Sequence, residues 1–358
     1  MKRLFVAAML FTAFLCGCDP VSQDNVEGAI KLYVDTEVIM ADGEHAANLM
    51  VTIMDSNGEE QDVTSSVEIY LDGSDEPLAS PTFAIAEPGT YSFYAINGFE
   101  ISNTVSVRAI KGNLDLPAED GGSAAFNHRM LLLQHTGTEC PNCPRLMTQL
   151  RYLSEDEGYN SKYHHVASHS YNTSDPAYSS AAASLSKNFE VSYYPWLTFD
   201  LTSKSELDFD NIRKSIDAMH KTSADAGIAA VVDSDKDGVY ANVRVKAGKD
   251  GKYRIAAWLL EDNIRGTQSG ADAAWQNVHE NCLRAMYGSN KTECIYGKNI
   301  GELKAGESKE ILVAFDLETG WKAENCKIIF LAVNAANYEM LNCAVCPMGE
   351  SIGYEYVK

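Results

Sequence analysis

Residues 130–144 have the sequence MLLLQHTGTECPNCP, a short apolar run followed by a turn and two cysteines three positions apart. The apolar run predicts a buried strand. The residues after it predict a turn, with Cys140 and Cys143 at the start of a helix. Paired cysteines in this context favour thiol chemistry, whereas a Cys-x-x-Cys in an isolated loop would indicate much less.

A helix start is a favourable place for a thiolate, because unpaired amides and the helix dipole stabilise an anion there. Cys140 is predicted to be the exposed, attacking thiol, and Cys143, one turn later, the resolving thiol. Lowering a thiol pKa from about 8.5 to about 7 raises the thiolate fraction at neutral pH from roughly 3% to roughly 50%. It also makes the sulfur a better leaving group, so such a pair can exchange disulfides in both directions.

The first residues predict export. Lys2 and Arg3 precede an apolar segment from Leu4 to Leu15, which has signal-peptide length and is too short to span a bilayer. The following Leu-Cys-Gly-Cys resembles a lipobox, the cleavage site of bacterial lipoprotein signals. We therefore expect residues 1–17 to be removed and Cys18 to carry the lipid that holds the protein on a membrane. An ordinary secretory signal cut nearby is the alternative.

The charge balance excludes one class of partner. The chain has a net charge of −21, which becomes −23 when Lys2 and Arg3 leave with the signal. A protein this acidic has no basic patch for nucleic acid, so no nucleic-acid binding is expected.

The chain of 358 residues is long enough for several domains. Before residue 110, short alternating strands are separated by turns such as Asp42-Gly43, Asn57-Gly58 and Pro88-Gly89, which predicts a β-sandwich and resembles bacterial Ig-like repeats. Strands and helices then alternate, and the rest is mostly β. The predicted units are a tether at 18–26, an Ig-like β-sandwich at 27–110, a linker at 111–125, an α/β domain at 126–223 and a C-terminal, sandwich-like β-rich domain at 224–358.

A strand followed by Cys-x-x-Cys at a helix N-terminus resembles thioredoxin-like proteins, and the α/β domain is interpreted as one of them. That resemblance implies a cis-proline facing the cysteine pair, directly before a strand. Pro195, in Tyr-Tyr-Pro-Trp-Leu-Thr-Phe, has this order and context. Its peptide bond is predicted to be cis. His169 ends a predicted strand at the edge facing the cysteines, and either steers protons there or is a hydrogen-bonded structural histidine.

Two features depart from the thioredoxin pattern. Glu139 stands where an aromatic residue commonly precedes the first cysteine, and a carboxylate there would raise the pKa of Cys140. The dipeptide Pro-Asn between the cysteines also differs from the usual pairs, so the sequence does not indicate a reduction potential.

Together with the lipoprotein signal and the β-rich flanks, several motifs resemble the outer-membrane-protein family named for its twenty-eight-kilodalton founder. They are QHTGTECPNCP, the later Ala-Ser-His-Ser and Asp-Pro, Tyr-Pro-Trp-Leu, and VHENCLR at 278–284. The resemblance covers most of residues 126–350. It implies a thioredoxin-like core in an outer-membrane or surface lipoprotein of the bacterial envelope, and it implies no settled reaction.

The remaining cysteines are candidates for structural disulfides. Once Cys16 and Cys18 are set aside, seven of the nine cysteines remain, and an exported chain usually pairs its cysteines. We expect Cys282 to pair with Cys294, and Cys326 to pair with Cys343 or Cys346.

The cysteines offer two alternatives in which a metal is bound. Cys140, Cys143 and His169 could imitate a copper site, but known sites of that kind space their cysteines differently. The second Cys-x-x-Cys, at 343–346, could complete a four-cysteine zinc site with the first, but the two pairs lie in different predicted domains of an exported chain. We therefore expect no metal and no other cofactor.

Two functions follow from these features. The first is thiol–disulfide exchange at the envelope, with protein disulfides or a redox protein as partner. The second is a non-enzymatic surface-binding or structural lipoprotein, in which the Cys140–Cys143 disulfide is static and the fold serves as a scaffold.

Overall fold

The computed structural model describes residues 30–55, 57–119, 125–204 and 209–357. The predicted signal peptide at 1–17, the lipidation site Cys18 and the tether at 18–26 lie outside the described residues, as do residues 120–124 of the predicted linker. Within the described part, the chain is a β-rich assembly of several sheets.

The N-terminal unit consists of two sheets packed on one shared core. Its short strands alternate buried and exposed residues, so one face of each sheet points inward. One sheet has the order β1-β3-β4 with β6 on β3, and the other has β2-β9-β7-β5 with β8 on β7. The strands are β1 (Ile30–Val34), β2 (Val38–Met40), β3 (Ala47–Met54), β4 (Glu60–Asp62), β5 (Glu68–Leu71), β6 (Thr82–Phe83), β7 (Gly89–Asn97), β8 (Glu100–Ile101) and β9 (Val105–Ile110).

In the central unit, strands and helices alternate as predicted. Its elements are β10 (Met130–Thr136), α1 (Cys143–Glu155), β11 (Tyr163–His169), α2 (Ser180–Asn188), β12 (Trp196–Phe199), β13 (Ser203–Lys204) and α3 (Phe209–Met219). β10 pairs in parallel with β11 and antiparallel with β12. Residues from α1 and α3 share a buried cluster with one face of β10, and residues from α2 share a cluster with the other face.

Helix α2 begins later than expected. The sequence predicts a helix over 177–189, but α2 begins at Ser180. The Ser179 hydroxyl accepts a hydrogen bond from the Ala182 amide at 3.0 Å and thereby caps the helix. Asp175, expected to cap it, instead accepts the Ala177 amide in the preceding turn.

The C-terminal unit adds a second pair of packed sheets. Its elements are β14 (Ala226–Ser234), β15 (Gly238–Ala247), β16 (Gly251–Glu261), β17 (Ile264–Arg265), β18 (Val278–His279), β19 (Cys282–Met286), α4 (Lys291–Tyr296), β20 (Lys298–Leu303), β21 (Ser308–Asp316), β22 (Cys326–Asn334), β23 (Met340–Pro347) and β24 (Ser351–Ile352). The sheet β21-β15-β14-β24 packs on β16, β22 and β23 around a large apolar core.

One nine-stranded sheet connects the central and C-terminal units. Its order is β13-β12-β10-β11-β19-β16-β22-β23, with β20 on β16. The junction is the parallel pairing of β11 with β19, in which Ala167 lies opposite Cys282. The central strands therefore continue directly into the C-terminal β structure, and segments of the C-terminal unit reach the cysteine loop.

Candidate functional site

The sequence-predicted cysteine pair forms a disulfide at the start of α1. Residues 137–143, the cysteine loop, connect β10 to α1, and the Cys140–Cys143 disulfide has a Cα–Cα distance of 5.4 Å. Cys143 is the first residue of the helix, after Asn142 at the cap. Both cysteines are buried, with exposures of 1% and 0%, so the prediction of an exposed Cys140 is wrong in this structure.

The strand register brings Pro195 and His169 to the edge where the cysteine loop leaves the sheet. Thr136, the last residue of β10, lies opposite His169 in the parallel pairing. His135 lies opposite Trp196 in the antiparallel pairing, so Pro195 comes at the next position, beside Thr136. The Tyr194–Pro195 peptide bond is cis, which confirms the sequence prediction.

His169 contacts the cysteine loop through Asp175. Its Nδ1 lies 2.8 Å from Asp175 Oδ2, and the same oxygen accepts the Thr138 amide of the loop at 2.7 Å. Burial raises the pKa of Asp175, but the hydrogen bonds from His169 and from the Thr138 and Ala177 amides outweigh it and bring this pKa to about 2. Among the described residues, no hydrogen bond joins His169 to either cysteine, so its position favours holding the loop over proton transfer at sulfur.

Asp175 is a site residue that the sequence analysis did not identify. A usable signal was present: an Asp-Pro pair comes shortly after the strand-ending His169. Gly137 is required at the same place, since a Cβ on it would lie 2.5 Å from Tyr171 Cβ. The 171–175 segment therefore packs directly against the cysteine loop.

Glu139, which replaces the expected aromatic residue, also binds this segment. Its Oε1 accepts the Ser174 hydroxyl at 2.6 Å, and its Oε2 accepts the Asn172 side-chain amide. The carboxylate thus forms a further attachment between the cysteine loop and residues 172–174.

Residues 266–277, here called the covering loop, lie against the cysteine loop from the C-terminal unit. The side-chain amide of Gln268 donates to the carbonyl oxygens of Gly137, Thr138 and Cys140 at 3.0–3.2 Å. The Ser269 amide donates to the Thr138 carbonyl at 2.7 Å. A Cβ on Gly270, whose φ is +70°, would lie 2.5 Å from the Pro141 carbonyl oxygen. This close packing contributes to the burial of both cysteines.

A line of hydrogen-bonded polar side chains, half-buried at its outer end and buried at its inner end, runs beneath Pro195. Ser170 shares hydrogen bonds with the Tyr194 hydroxyl at 3.1 Å and with the Ser186 hydroxyl at 2.6 Å. Ser186 contacts His135 Nδ1 at 2.9 Å, and His135 Nε2 reaches Thr198 at 3.3 Å. Burial lowers the pKa of His135 to about 3, so its imidazole is neutral at pH 7.

The aromatic residues around Pro195 divide between surface and interior. Tyr193 is 56% exposed and packs on the buried Trp196, with ring centroids 4.8 Å apart. Tyr171, also exposed, meets Tyr194 edge-on at 5.2 Å. The outer rings form an apolar surface beside the cysteine loop, while Trp196 belongs to the interior.

The predicted structural disulfides are wrong in this structure. Cys282, Cys326, Cys343 and Cys346 are buried and keep free thiols, and the buried Cys294 thiol donates to the Gly288 carbonyl at 3.5 Å. In the pairing of β22 with β23, Cys346 lies opposite Ile328 and Cys343 opposite Leu331, so neither lies opposite Cys326. The nearer one, Cys346, is offset by two residues, which separates the Cα atoms by about 7–8 Å and is too far for a disulfide.

Cys343 and Cys346 cannot pair with each other either. They lie three residues apart on β23 and therefore face opposite sides of the sheet. Cys343 belongs to the cluster that includes α2, and Cys346 to the core under β14 and β15. Burial raises the pKa of both thiols, that of Cys346 to about 12.

The described residues contain neither a metal-binding cluster nor a membrane-spanning helix. Within residues 30–55, 57–119, 125–204 and 209–357, no group of three or more His, Cys, Asp and Glu side chains is arranged to hold a metal ion. No helix in these same ranges combines the length and apolarity required to cross a membrane.

Comparison with known proteins adds a likeness of fold. No protein-family model matches the chain, and no curated protein matches it. Among solved structures, HBP35 of Porphyromonas gingivalis matches 62% of this chain and 76% of its own, with a TM-score of 0.52 and 14% identity. A domain of the outer membrane lipoprotein Omp28 from the same organism matches 35% of this chain and 89% of its own, with a TM-score of 0.24 and 19% identity. At these identities, the similarity to HBP35 is one of fold alone.

Proposed function

We propose that this protein is an envelope-anchored lipoprotein whose thioredoxin-like domain exchanges thiols and disulfides through Cys140 and Cys143. The observation that carries the proposal is the placement of a Cys-x-x-Cys disulfide at a helix N-terminus, with the cis Pro195 at the same edge of the sheet. The amides of the first helical turn favour a thiolate at Cys140 when the disulfide opens.

In the reductive direction, the Cys140 thiolate attacks one sulfur of a protein disulfide. The substrate S–S bond breaks, a mixed disulfide forms, and the leaving substrate thiolate takes a proton. The Cys143 thiolate then attacks Cys140 Sγ, which releases the reduced substrate and restores the Cys140–Cys143 disulfide. A dithiol protein must supply the two electrons for the next cycle, and the reverse sequence oxidises a substrate dithiol.

The exchange reaction is tested by trapping its intermediate. In a Cys143→Ser variant, the mixed disulfide at Cys140 persists because the resolving thiol is absent, so adducts appear on non-reducing gels. The adducts disappear in the Cys140→Ser/Cys143→Ser double variant. As a control, Cys346→Ser changes the second cysteine of the other Cys-x-x-Cys and should trap no adduct. Absence of adducts together with absence of insulin reduction would refute the proposal.

A second function, a non-enzymatic binding or structural lipoprotein, is favoured by a different observation. The covering loop binds the cysteine loop at three carbonyls and helps to bury both cysteines. If the disulfide is static, its reduction potential lies below about −300 mV and its removal leaves function unchanged. Ready reduction by cellular dithiol proteins would exclude this alternative.

The envelope location rests on the N-terminal sequence and on the family resemblance. We propose that Cys18 carries the lipid and that the protein belongs with the Omp28-related lipoproteins, built from an Ig-like domain, a thioredoxin-like domain and a C-terminal β domain. An alkyne-labelled fatty acid should enter the wild-type protein and not a Cys18→Ala variant. Incorporation into the variant would show that the lipid is elsewhere.

A further inference from the structure

A cavity of about 460 Å³ lies between α1, the ends of β10 and β11, and residues 275–281. α1 and α3 share a buried cluster with β10, β12 and Tyr163 at the start of β11, and the cavity lies along the β11 face from Tyr163 to His169. Its apolar wall includes Leu150, Ala167 and Trp275. The volume lies within the range of small-molecule sites.

Two polar side chains lining this cavity carry buried atoms without partners. Gln134 and Thr136 alternate on β10 and therefore share one face of the strand. They are 2% and 3% exposed, and neither Gln134 Nε2 nor Thr136 Oγ1 has a hydrogen-bond partner in the described part of the chain. Burial of an unpaired donor is costly, so such atoms are expected where a ligand supplies the partner.

The charges around the cavity favour a neutral ligand. His279 is buried, and its desolvation lowers its pKa to about 4, so the imidazole is neutral at pH 7. His169 Nδ1 is held by Asp175. The cation among the lining residues, Arg151, lies at the mouth, stacked 4.8 Å from the Trp275 ring and paired with Glu155 at 2.9 Å. A buried carboxylate on the ligand would therefore lack a countercharge.

We propose that this cavity binds a neutral ring compound carrying a carbonyl oxygen, with the ring against Leu150, Ala167 and Trp275 and the oxygen accepting from Gln134 Nε2 and Thr136 Oγ1. The site is separate from the disulfide and does not depend on its chemistry. A Cys140→Ser/Cys143→Ser variant should bind the same compound with unchanged affinity.

The test compares two probes of similar size by isothermal titration calorimetry with the full-length chain at pH 7. 2-Acetylnaphthalene carries the carbonyl, and 2-ethylnaphthalene lacks it. We expect the wild type to bind the acetyl probe at least about fivefold more tightly, the preference of a buried hydrogen bond. A Thr136→Val/Gln134→Met variant should bind both probes equally. Thr136→Val removes a hydroxyl that has no partner among the described residues, whereas Gln134→Met also removes the 3.0 Å contact of Gln134 Oε1 with His165 Nε2. The Thr136→Val single variant should therefore keep its full stability and lose part of the preference for the acetyl probe.

A second experiment fills the cavity with larger side chains and measures the loss of binding. Ala167→Leu and Met147→Trp each place bulk in it and should reduce binding of both probes at least about tenfold. Tyr152→Trp, on the same helix but 58% exposed and outside the lining, is the matched control and should change nothing. Absence of binding at millimolar probe, equal affinity of the wild type for both probes, or full binding by folded Met147→Trp protein would overturn the proposal.

Discussion

The two Cys-x-x-Cys sequences of this protein have the same spacing and different surroundings. Cys140 and Cys143 lie at the start of α1, where a spacing of three residues corresponds to about one turn and brings both sulfurs together. Cys343 and Cys346 lie within β23, where the same spacing sends the side chains to opposite faces of the sheet. Secondary structure therefore decides whether the spacing yields a disulfide.

The two cysteine pairs also differ in the polarity of the side chains that surround them. The first pair lies near hydrogen-bonded polar groups, including Asp175 and the line from Tyr194 to His135. The thiols of the second pair are packed among aliphatic side chains and donate only to backbone carbonyls. Polar surroundings can lower the pKa of a thiol and so favour exchange, whereas apolar burial raises the pKa and makes the thiol inert.

The largest expected effect is in alkylation. After reduction with dithiothreitol at pH 7, iodoacetamide should modify Cys140 at least about fiftyfold faster than Cys346. A thiol with a pKa of about 12 has roughly three-thousandfold less thiolate than one with a pKa of about 8.5, and its greater nucleophilicity recovers only part of the difference. Peptide mass spectrometry measures both alkylation rates. Unfolding the protein in urea should remove the difference between the two rates. Equal rates in the folded protein would mean that the second pair is not buried in a strand.

Acidification should act on the polar groups beneath the first pair. The folded-state pKa of His135, about 3, lies below the ordinary 6.5, so only the unfolded chain binds the proton between these values. Stability is full above pH 6.5 and falls as the pH drops towards 3, by about 2 kcal/mol at pH 5. Urea unfolding at pH 7 and pH 5 measures how much the free energy of unfolding falls between the two values. This decrease should be about 2 kcal/mol smaller for His135→Gln than for the wild type. His45→Gln, at an exposed position, is the control, and a pH dependence identical in all three proteins would contradict the neutral buried state of His135.

The local arrangement of the first pair was predictable because it depends on neighbours in sequence. The strand, the turn and the helix start near Cys140 follow from a continuous stretch, and the position of Pro195 follows from the order of elements. The covering loop was not predictable, since Gln268 and Cys140 are 128 residues apart and meet only through the β11–β19 pairing. The predicted pairing of Cys326 with Cys343 or Cys346 was wrong for the same reason, because the sequence does not indicate the register of β22 against β23.

The covering loop should control access to the first pair. Gln268→Leu removes the side-chain donor shared by the Gly137, Thr138 and Cys140 carbonyls, which keep only backbone donors. This loss of about 1–3 kcal/mol favours displacement of the loop. Dithiothreitol should then reduce the Cys140–Cys143 disulfide about tenfold faster. The rate is measured by quenching samples with an alkylating reagent and counting the modified cysteines by mass spectrometry. Gln61→Leu, at an exposed glutamine of the N-terminal unit, should match the wild type. An unchanged rate in Gln268→Leu would show that the loop does not limit access.

The smallest expected effect tests the opposite-face placement of the second pair. Cys343→Ala and Cys346→Ala each remove one buried sulfur, and each should lower the free energy of unfolding by about 1 kcal/mol. Because the two side chains lie in different cores, the double variant should lose the sum of the two values within about 0.5 kcal/mol. Urea denaturation of the four proteins measures this, with the reduction rate of the Cys140–Cys143 disulfide as an internal control that should stay constant. A larger deviation from additivity would mean that Cys343 and Cys346 contact each other, which a continuous strand does not allow.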